Sequence, residues 1–175
     1  MKTLVAYFSR SGENYVNGEI VELSVGNTAL AAKEIAAQTG GDLYEIRPLN
    51  PYSENYRACG KAAFAELKAN ARPALADPLP VLSAYDTVCL GYPNWCGTMP
   101  MAVWTFLESG DFAGKRILPF CTHEGSGMGS SEADLRGLCP GAVLGRGLAL
   151  RGAAAGSAQA EIREWLEAEA GHEVK

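Results

Sequence analysis

Short runs of consecutive apolar residues recur along the chain, each ended by glycine, serine or proline. Thr3-Leu4-Val5-Ala6-Tyr7-Phe8 stops at Ser9-Arg10-Ser11-Gly12, and Thr87-Val88-Cys89-Leu90-Gly91 runs into Tyr92-Pro93. Arg116-Ile117-Leu118-Pro119-Phe120-Cys121 leads into Thr122-His123. Runs that are apolar on both faces suit strands buried in a parallel sheet. Leu43-Tyr44-Glu45-Ile46 reads as a further strand closed by Pro48 and Pro51, and a weaker fifth falls within Ala142–Leu150. Pro119 is awkward in a central strand, because it brings no ladder donor.

Between these runs the apolar spacing changes to three and four. A helix is expected from Thr28 to Thr39, burying Ala29, Ala32, Ile35 and Ala36, with Asn27 or Thr28 as its cap and Gly40-Gly41 as its stop. A second, capped by Ser53, carries Tyr56, Gly60, Ala63, Phe64 and Leu67 on one face and ends before Pro73. The stretch Arg72–Ala84, with three prolines, suits a surface connection. A third helix takes Pro100 in its first turn and buries Met99, Val103, Phe106 and Leu107. A fourth starts at Ser130 or Ser131 and stops at Cys139-Pro140, and the last begins near Ser157 and buries Ile162, Trp165 and Leu166. Strands and helices that alternate in units of about 30 residues predict one α/β domain over residues 1–175, a doubly wound parallel sheet with helices on both faces.

One segment breaks the alternation. Tyr15-Val16-Asn17-Gly18-Glu19-Ile20-Val21-Glu22-Leu23 places Asn-Gly between β-forming residues, the strongest short-range signal for a hairpin. A small hairpin after the first strand is therefore expected, with an irregular loop as the alternative.

Composition narrows the function. The 175 residues are 47% hydrophobic and 20% charged, as in a globular chain, and 15 basic against 20 acidic residues give a net charge of −5. No basic stripe exists to meet a nucleic-acid backbone. His123 and His172 are too few and too far apart for a histidine-built metal site. The five cysteines form no C-x-x-C pair, which fits a reducing compartment better than a disulfide framework. No apolar run approaches the ~18 residues of a membrane span, and the start lacks a cleavage site, so a cytoplasmic protein is expected.

In open α/β sheets ligands bind beyond the carboxyl ends of the strands. Three loops there are unusual. Ser9-Arg10-Ser11-Gly12, completed across the hairpin by Gly26-Asn27-Thr28, offers hydroxyls, an amide and a helix N-terminus, the parts of a phosphate cradle. Helix capping alone explains Asn27 and Thr28, but not Ser9 and Ser11. Tyr92-Pro93-Asn94-Trp95-Cys96-Gly97 can present a flat aromatic face to a ligand, or can fold Trp95 back on the core. Thr122-His123-Glu124-Gly125-Ser126-Gly127 permits close approach of backbone to a ligand, or is a flexible turn.

Together these loops resemble those of flavodoxin-like, FMN-binding proteins. Phe8-Ser9-Arg10-Ser11-Gly12 with Asn27-Thr28 is similar to the family's phosphate loop, split here by Glu13 to Gly26; Glu13-Asn14-Tyr15 could instead continue it directly. The resemblance implies a strand order of 2-1-3-4-5 and FMN as cofactor. It assigns the phosphate to Ser9, Arg10, Ser11, Asn27 and Thr28, one side of the ring to Pro93, Asn94, Trp95, Cys96 and Gly97, and its polar edge to Thr122, His123, Gly125 and Gly127. Carriers of this kind commonly stack an aromatic from the last loop on the flavin, where this chain has His123 and Glu124, so one ring face is expected to be open to a substrate.

Other readings of a doubly wound sheet fail on residues. A receiver domain needs acidic residues after the first strand, a P-loop hydrolase needs Lys-Ser/Thr, and Gly125-Ser126-Gly127 has its serine one place early for a hydrolase elbow. Two functions stay in play: an electron carrier that serves a redox partner protein, and an FMN-dependent oxidoreductase that uses NAD(P)H and a quinone-like or other small acceptor. No side chain is singled out as an obligatory acid or base, and the sequence leaves the oligomeric state open.

Overall fold

The computed structural model describes residues 1–171; His172 lies outside them. The chain runs β1 (Thr3–Tyr7), β2 (Gly12–Val16), β3 (Glu19–Leu23), α1 (Asn27–Thr39), β4 (Asp42–Glu45), α2 (Tyr56–Lys68), β5 (Thr87–Pro93), α3 (Met101–Ser109), β6 (Arg116–His123), α4 (Ser131–Leu138), β7 (Val143–Leu144), β8 (Leu148–Arg151) and α5 (Gln159–Ala170). The main sheet is parallel in the order β4-β1-β5-β6-β7, with β8 also on β6. Numbered as the sequence suggested, that is 2-1-3-4-5.

Alternation along the central strands sorts the core into two layers. Leu4, Ala6, Phe8, Val88, Leu90 and Tyr92 pack with α3 and α4 through Val103, Phe106, Leu107 and Leu135. Val5, Tyr7, Cys89, Leu118 and Phe120 pack on the opposite face with α1 and α5 through Ala32, Ile35, Ile162 and Trp165. Both faces are covered, which is why the strands read as continuous apolar runs.

The fifth strand position is shared by β7 and β8, and the break between them accounts for Pro119. The carbonyl of Ile117 accepts from Gly145 N–H at 2.9 Å, so Ile117 faces the fifth position, and Pro119, two residues on, faces the same way. β7 pairs Arg116 and Ile117, whereas β8 takes over at Phe120. A missing donor at Pro119 meets the interruption and costs no ladder bond.

The hairpin forms as the Asn-Gly signal indicated. β2 pairs antiparallel with β3, and Asn17 and Gly18 both take positive φ, 51° and 89°.

Two expectations for α2 do not hold. Its start is capped by Asn55, whose Oδ1 accepts from Ala58 N–H at 3.0 Å, and the Ser53 hydroxyl accepts instead from Asn55 N–H at 3.2 Å. Its buried residues are Cys59 and Ala63, while Phe64 is 58% exposed and Tyr56 38%, because α2 lies at the side of the molecule against the hairpin and α3. The first turn of α1 is also not capped by Asn27 or Thr28: Gly26 takes the cap position and has no side chain to offer. Among the described residues no helix is long and apolar enough to cross a membrane.

Candidate functional site: a cleft at the carboxyl ends of three strands

The carboxyl ends of β1, β5 and β6 open beside the N-terminus of α1, and the loops there enclose a cleft of about 280 Å³. Ser9 and Arg10 line it after β1, Asn27 and Thr28 at the start of α1, Pro93 at the end of β5 with Asn94 and Trp95 just beyond, and Thr122 and His123 at the end of β6. Nine of the residues singled out from the sequence thus share one wall system. Ser11 lies beyond it, in adjoining grooves that it shares with Ser9, and Cys96, Gly97, Gly125 and Gly127 shape the backbone behind the lining.

At one end the construction suits an anion. Ser9 Oγ accepts from Ala29 N–H at 3.0 Å, so the first loop caps α1 from outside the helix. That contact needs Gly26: a Cβ there would lie 2.3 Å from Ser9 Oγ and 2.4 Å from the Arg10 carbonyl oxygen. A helix N-terminus without a side-chain cap of its own attracts negative charge through its amides and dipole. The hydroxyls of Thr28 and Thr122, both buried, bond each other at 2.7 Å and tie α1 to β6. Arg10 donates to the carbonyls of Glu13, Ser53 (2.8 Å) and Glu54 (2.6 Å), holding the base of the hairpin to the loop before α2 while its charge stays at the cleft.

At the other end Asn94 fastens two loops together. Its N–H donates to the Thr122 carbonyl (2.8 Å), its Nδ2 to the Gly127 carbonyl (2.9 Å), and its Oδ1 accepts from Gly97 N–H (3.0 Å). Trp95 and Thr98 exchange backbone hydrogen bonds across Cys96 and Gly97, whose φ values are 54° and 84°, a tight turn that projects Trp95. The indole is braced edge-on by Phe8 and Tyr52, each with ring centres 5.0 Å away. Trp95 thus both packs on the core and faces the cleft. Partial burial raises the pKa of the Cys96 thiol, the reverse of what a nucleophile needs.

His123 Nδ1 accepts from Gly125 N–H at 2.9 Å, which leaves the imidazole proton on Nε2. Burial and the neighbouring positive charge of Arg151 lower its pKa, so the ring is neutral at neutral pH.

A family model for flavodoxin matches residues 2–169, nearly the whole described chain. The chain belongs to the flavodoxin family. It is similar to a provisionally named flavoprotein from Bacteroides eggerthii at 32% identity and a TM-score of 0.75, covering 97% of this chain and 98% of that one. A similarly named protein from Bacteroides uniformis matches at 34% identity with the same TM-score of 0.75, over 95% and 97% of the two chains. A flavoprotein from Lactobacillus acidophilus, solved in complex with FMN, is 18% identical with a TM-score of 0.67 over 94% of this chain and 98% of its own, a likeness of fold. No curated protein is detectably similar in sequence.

In this member of the flavodoxin family the cleft also takes in Asn14 and Tyr15, which the sequence offered as an alternative continuation of the first loop, Glu124 and Ser126, which it placed in the third loop without a role, and Tyr56 and Gly152, which it did not connect to the site. The hairpin lies over one side: Asn14 and Tyr15 line the cleft together with Tyr56, and the two tyrosine rings stack with centres 6.1 Å apart at 26°. Glu124 reaches across to the hairpin tip, its Oε2 accepting from Asn17 N–H at 2.9 Å. Ser126 and Gly152 complete the lining. The Asn-Gly pair was a sufficient signal for the hairpin, but nothing local told where it would lie. Gly152 had no signal beyond following the weakest strand.

Proposed function

We propose that this protein is an FMN-binding redox protein that mediates electron transfer. The observation that carries the reading is that the N-terminus of α1, which has no side-chain cap of its own beyond the reach of Ser9 to Ala29, and the braced face of Trp95 open into the same cleft, a cradle for an anion at one end and a surface for a planar ring at the other. FMN, when bound, supplies the capacity to take up and release electrons; the chain's part is to hold it and set its surroundings.

Ser9 fits the phosphate end in detail. Its oxygen is occupied as acceptor by Ala29 N–H, so its own proton is free to donate outward. The Thr28–Thr122 pair likewise keeps one hydroxyl proton to give, since either can serve as donor to the other. Arg10, Ser11 and Asn27 complete this end. Pro93, Asn94 and Trp95 would stand at the ring, positioned by the turn at Cys96 and Gly97. The hydrogen on His123 Nε2 and the amides of the Thr122–Gly127 loop would face its polar edge.

Purified protein titrated with FMN is expected to take up one equivalent, with shifted absorption bands and quenched emission. Riboflavin, which lacks the phosphate, should bind more weakly, and Ser9→Ala with Thr28→Val should erase that difference. A protein that takes up no FMN, or that prefers riboflavin, contradicts the reading.

A second reading is favoured by His123: the third loop brings a neutral, hydrogen-donating histidine to the cleft instead of an aromatic ring. An oxidoreductase that passes electrons from NAD(P)H to a small quinone-like acceptor would use such a surface. Rapid bleaching of the bound flavin by NADH or NADPH supports the enzyme; no response to either, with full reduction by dithionite, supports the carrier with a protein partner.

A further inference from the structure

The hairpin and α2 together present an apolar stripe that runs away from the cleft across the surface. Tyr15 and Ile20 lie directly opposite each other in the hairpin, so their side chains share one face, and they are 42% and 45% exposed. Tyr15 stacks on Tyr56, which carries the stripe onto α2. Tyr56, Gly60 and Phe64 follow at four-residue steps, on one side of the helix. Gly60 leaves bare backbone between the two rings, since a Cβ there would meet nothing within 4 Å. Single exposed apolar residues are ordinary, but a continuous stripe with three aromatic rings marks a contact surface.

The charges beside the stripe say what covers it. On the helical side stand Arg57, Lys61 and Lys68, all exposed. On the hairpin side Glu22 lies directly opposite Glu13, and the pair shares the face of Tyr15 and Ile20. Glu13 is occupied by Asn55 Nδ2 at 2.9 Å and Tyr56 N–H at 2.8 Å. Two carboxylates facing each other across a strand pair repel, and Glu22 is the one exposed. No ion pair among the described residues uses Arg57, Lys61, Lys68 or Glu22. One flank thus lacks a cation and the other an anion. A partner of a single charge suits only one flank: an acidic surface would meet Glu22, and a basic one would meet the row on α2. A second copy of this chain suits both. A two-fold axis through the stripe exchanges the flanks, so that each hairpin faces the other copy's α2 and unlike charges meet twice.

We propose that this surface joins two copies of the chain in a reversible two-fold dimer, with the aromatic stripes packed at the axis and Glu22 of each copy set against the basic row of the other. Charged groups border the contact, unlike the core of a permanent interface, so the copies separate on dilution. Tyr15 and Tyr56 also line the cleft, so the dimer brings the second copy to its hairpin side. The association itself needs no ligand there.

Sedimentation of the full-length protein without FMN tests this. The mass should rise from one copy to two between about 1 and 100 µM and stop there, and added salt should favour the single copy. Phe64→Asp, Lys61→Glu and Glu22→Lys each alter an exposed side chain and should leave the circular dichroism spectrum unchanged. Phe64→Asp should weaken association by at least about tenfold. Lys61→Glu and Glu22→Lys should each weaken it by about tenfold, and the two together should return it to within about threefold of the original. A chain that stays single throughout that range overturns the dimer. A dimer indifferent to Phe64→Asp places the contact on another surface. A combined variant no tighter than the single ones overturns the pairing of hairpin with α2.

Discussion

α1 and α2 are both 13 residues long, yet they make opposite kinds of wall. α1 buries Thr28, Ala29, Ala31, Ala32 and Ile35 against the sheet and α5, and its first turn is held by Ser9 and Thr122. α2 buries only Cys59 and Ala63, leaves Tyr56 and Phe64 exposed, and meets the cleft through the Tyr15–Tyr56 stack. The cleft thus has a firm side, where small alanine side chains let a helix sit close to the sheet, and a yielding side made of a hairpin and a peripheral helix. Segments with few buried apolar contacts are those that open first. An anion cradle has to keep its amides in place, whereas a rim over a ligand has to let it in.

The contrast is broken most severely at Ile35. It is fully buried, so Ile35→Ala should cost about 2–5 kcal/mol in denaturant unfolding, whereas Phe64→Ala on α2 should stay within about 0.5 kcal/mol. Equal losses would mean that the two helices are not anchored differently. Gly26→Ala is next: a Cβ at 2.3 Å from Ser9 Oγ forces the first loop off α1, and about 1–3 kcal/mol of overpacking should appear chiefly as a 10- to 100-fold loss of FMN affinity. Unchanged affinity would show that the cradle is not where the phosphate sits. Thr28→Val leaves the Thr122 hydroxyl buried and alone, and should lower stability by about 1–3 kcal/mol, part of it recovered when Thr122→Val is added. A double variant that loses the sum of both single effects contradicts a shared bond.

The smallest effect concerns pH. His123 has its pKa lowered in the folded chain, so the folded state binds fewer protons than the unfolded state just below the ordinary histidine value of about 6.5. The stability this neutral ring contributes is complete above that value and is lost as pH falls towards the lowered folded pKa. His123→Asn should flatten that limb of the stability profile, and a wild-type profile that instead rises on acidification would contradict the neutral assignment.

How much of this was written in the chain depends on distance along it. The strands at Thr3–Phe8, Thr87–Gly91 and Arg116–Cys121 were legible because two-sided burial leaves an unbroken apolar run, and the hairpin because Asn17 and Gly18 suit the positive φ its turn requires. The periodic face of α2 was misleading: spacing marks which residues share a side, not whether anything lies against that side, and Phe64 faces solvent. Capping failed for the same reason. Ser9 reaches Ala29 from twenty residues away, whereas the local candidate Thr28 is turned to Thr122. Glu124 and Asn17 are 107 positions apart, and no local pattern joins them. Three loops at one rim could be named from the sequence; the bonds that fasten them to one another could not.

The most direct measurement follows the backbone amides of Asn27 and Thr28 by nuclear magnetic resonance while FMN, and separately lumiflavin, is added to isotope-labelled protein. If the helix N-terminus holds the phosphate, both amides move strongly with FMN and stay nearly still with lumiflavin, while the Trp95 indole responds to both. Should FMN bind with the indole shifted and the Asn27 and Thr28 amides unmoved, the anion would lie elsewhere, and the account of the cleft would be wrong.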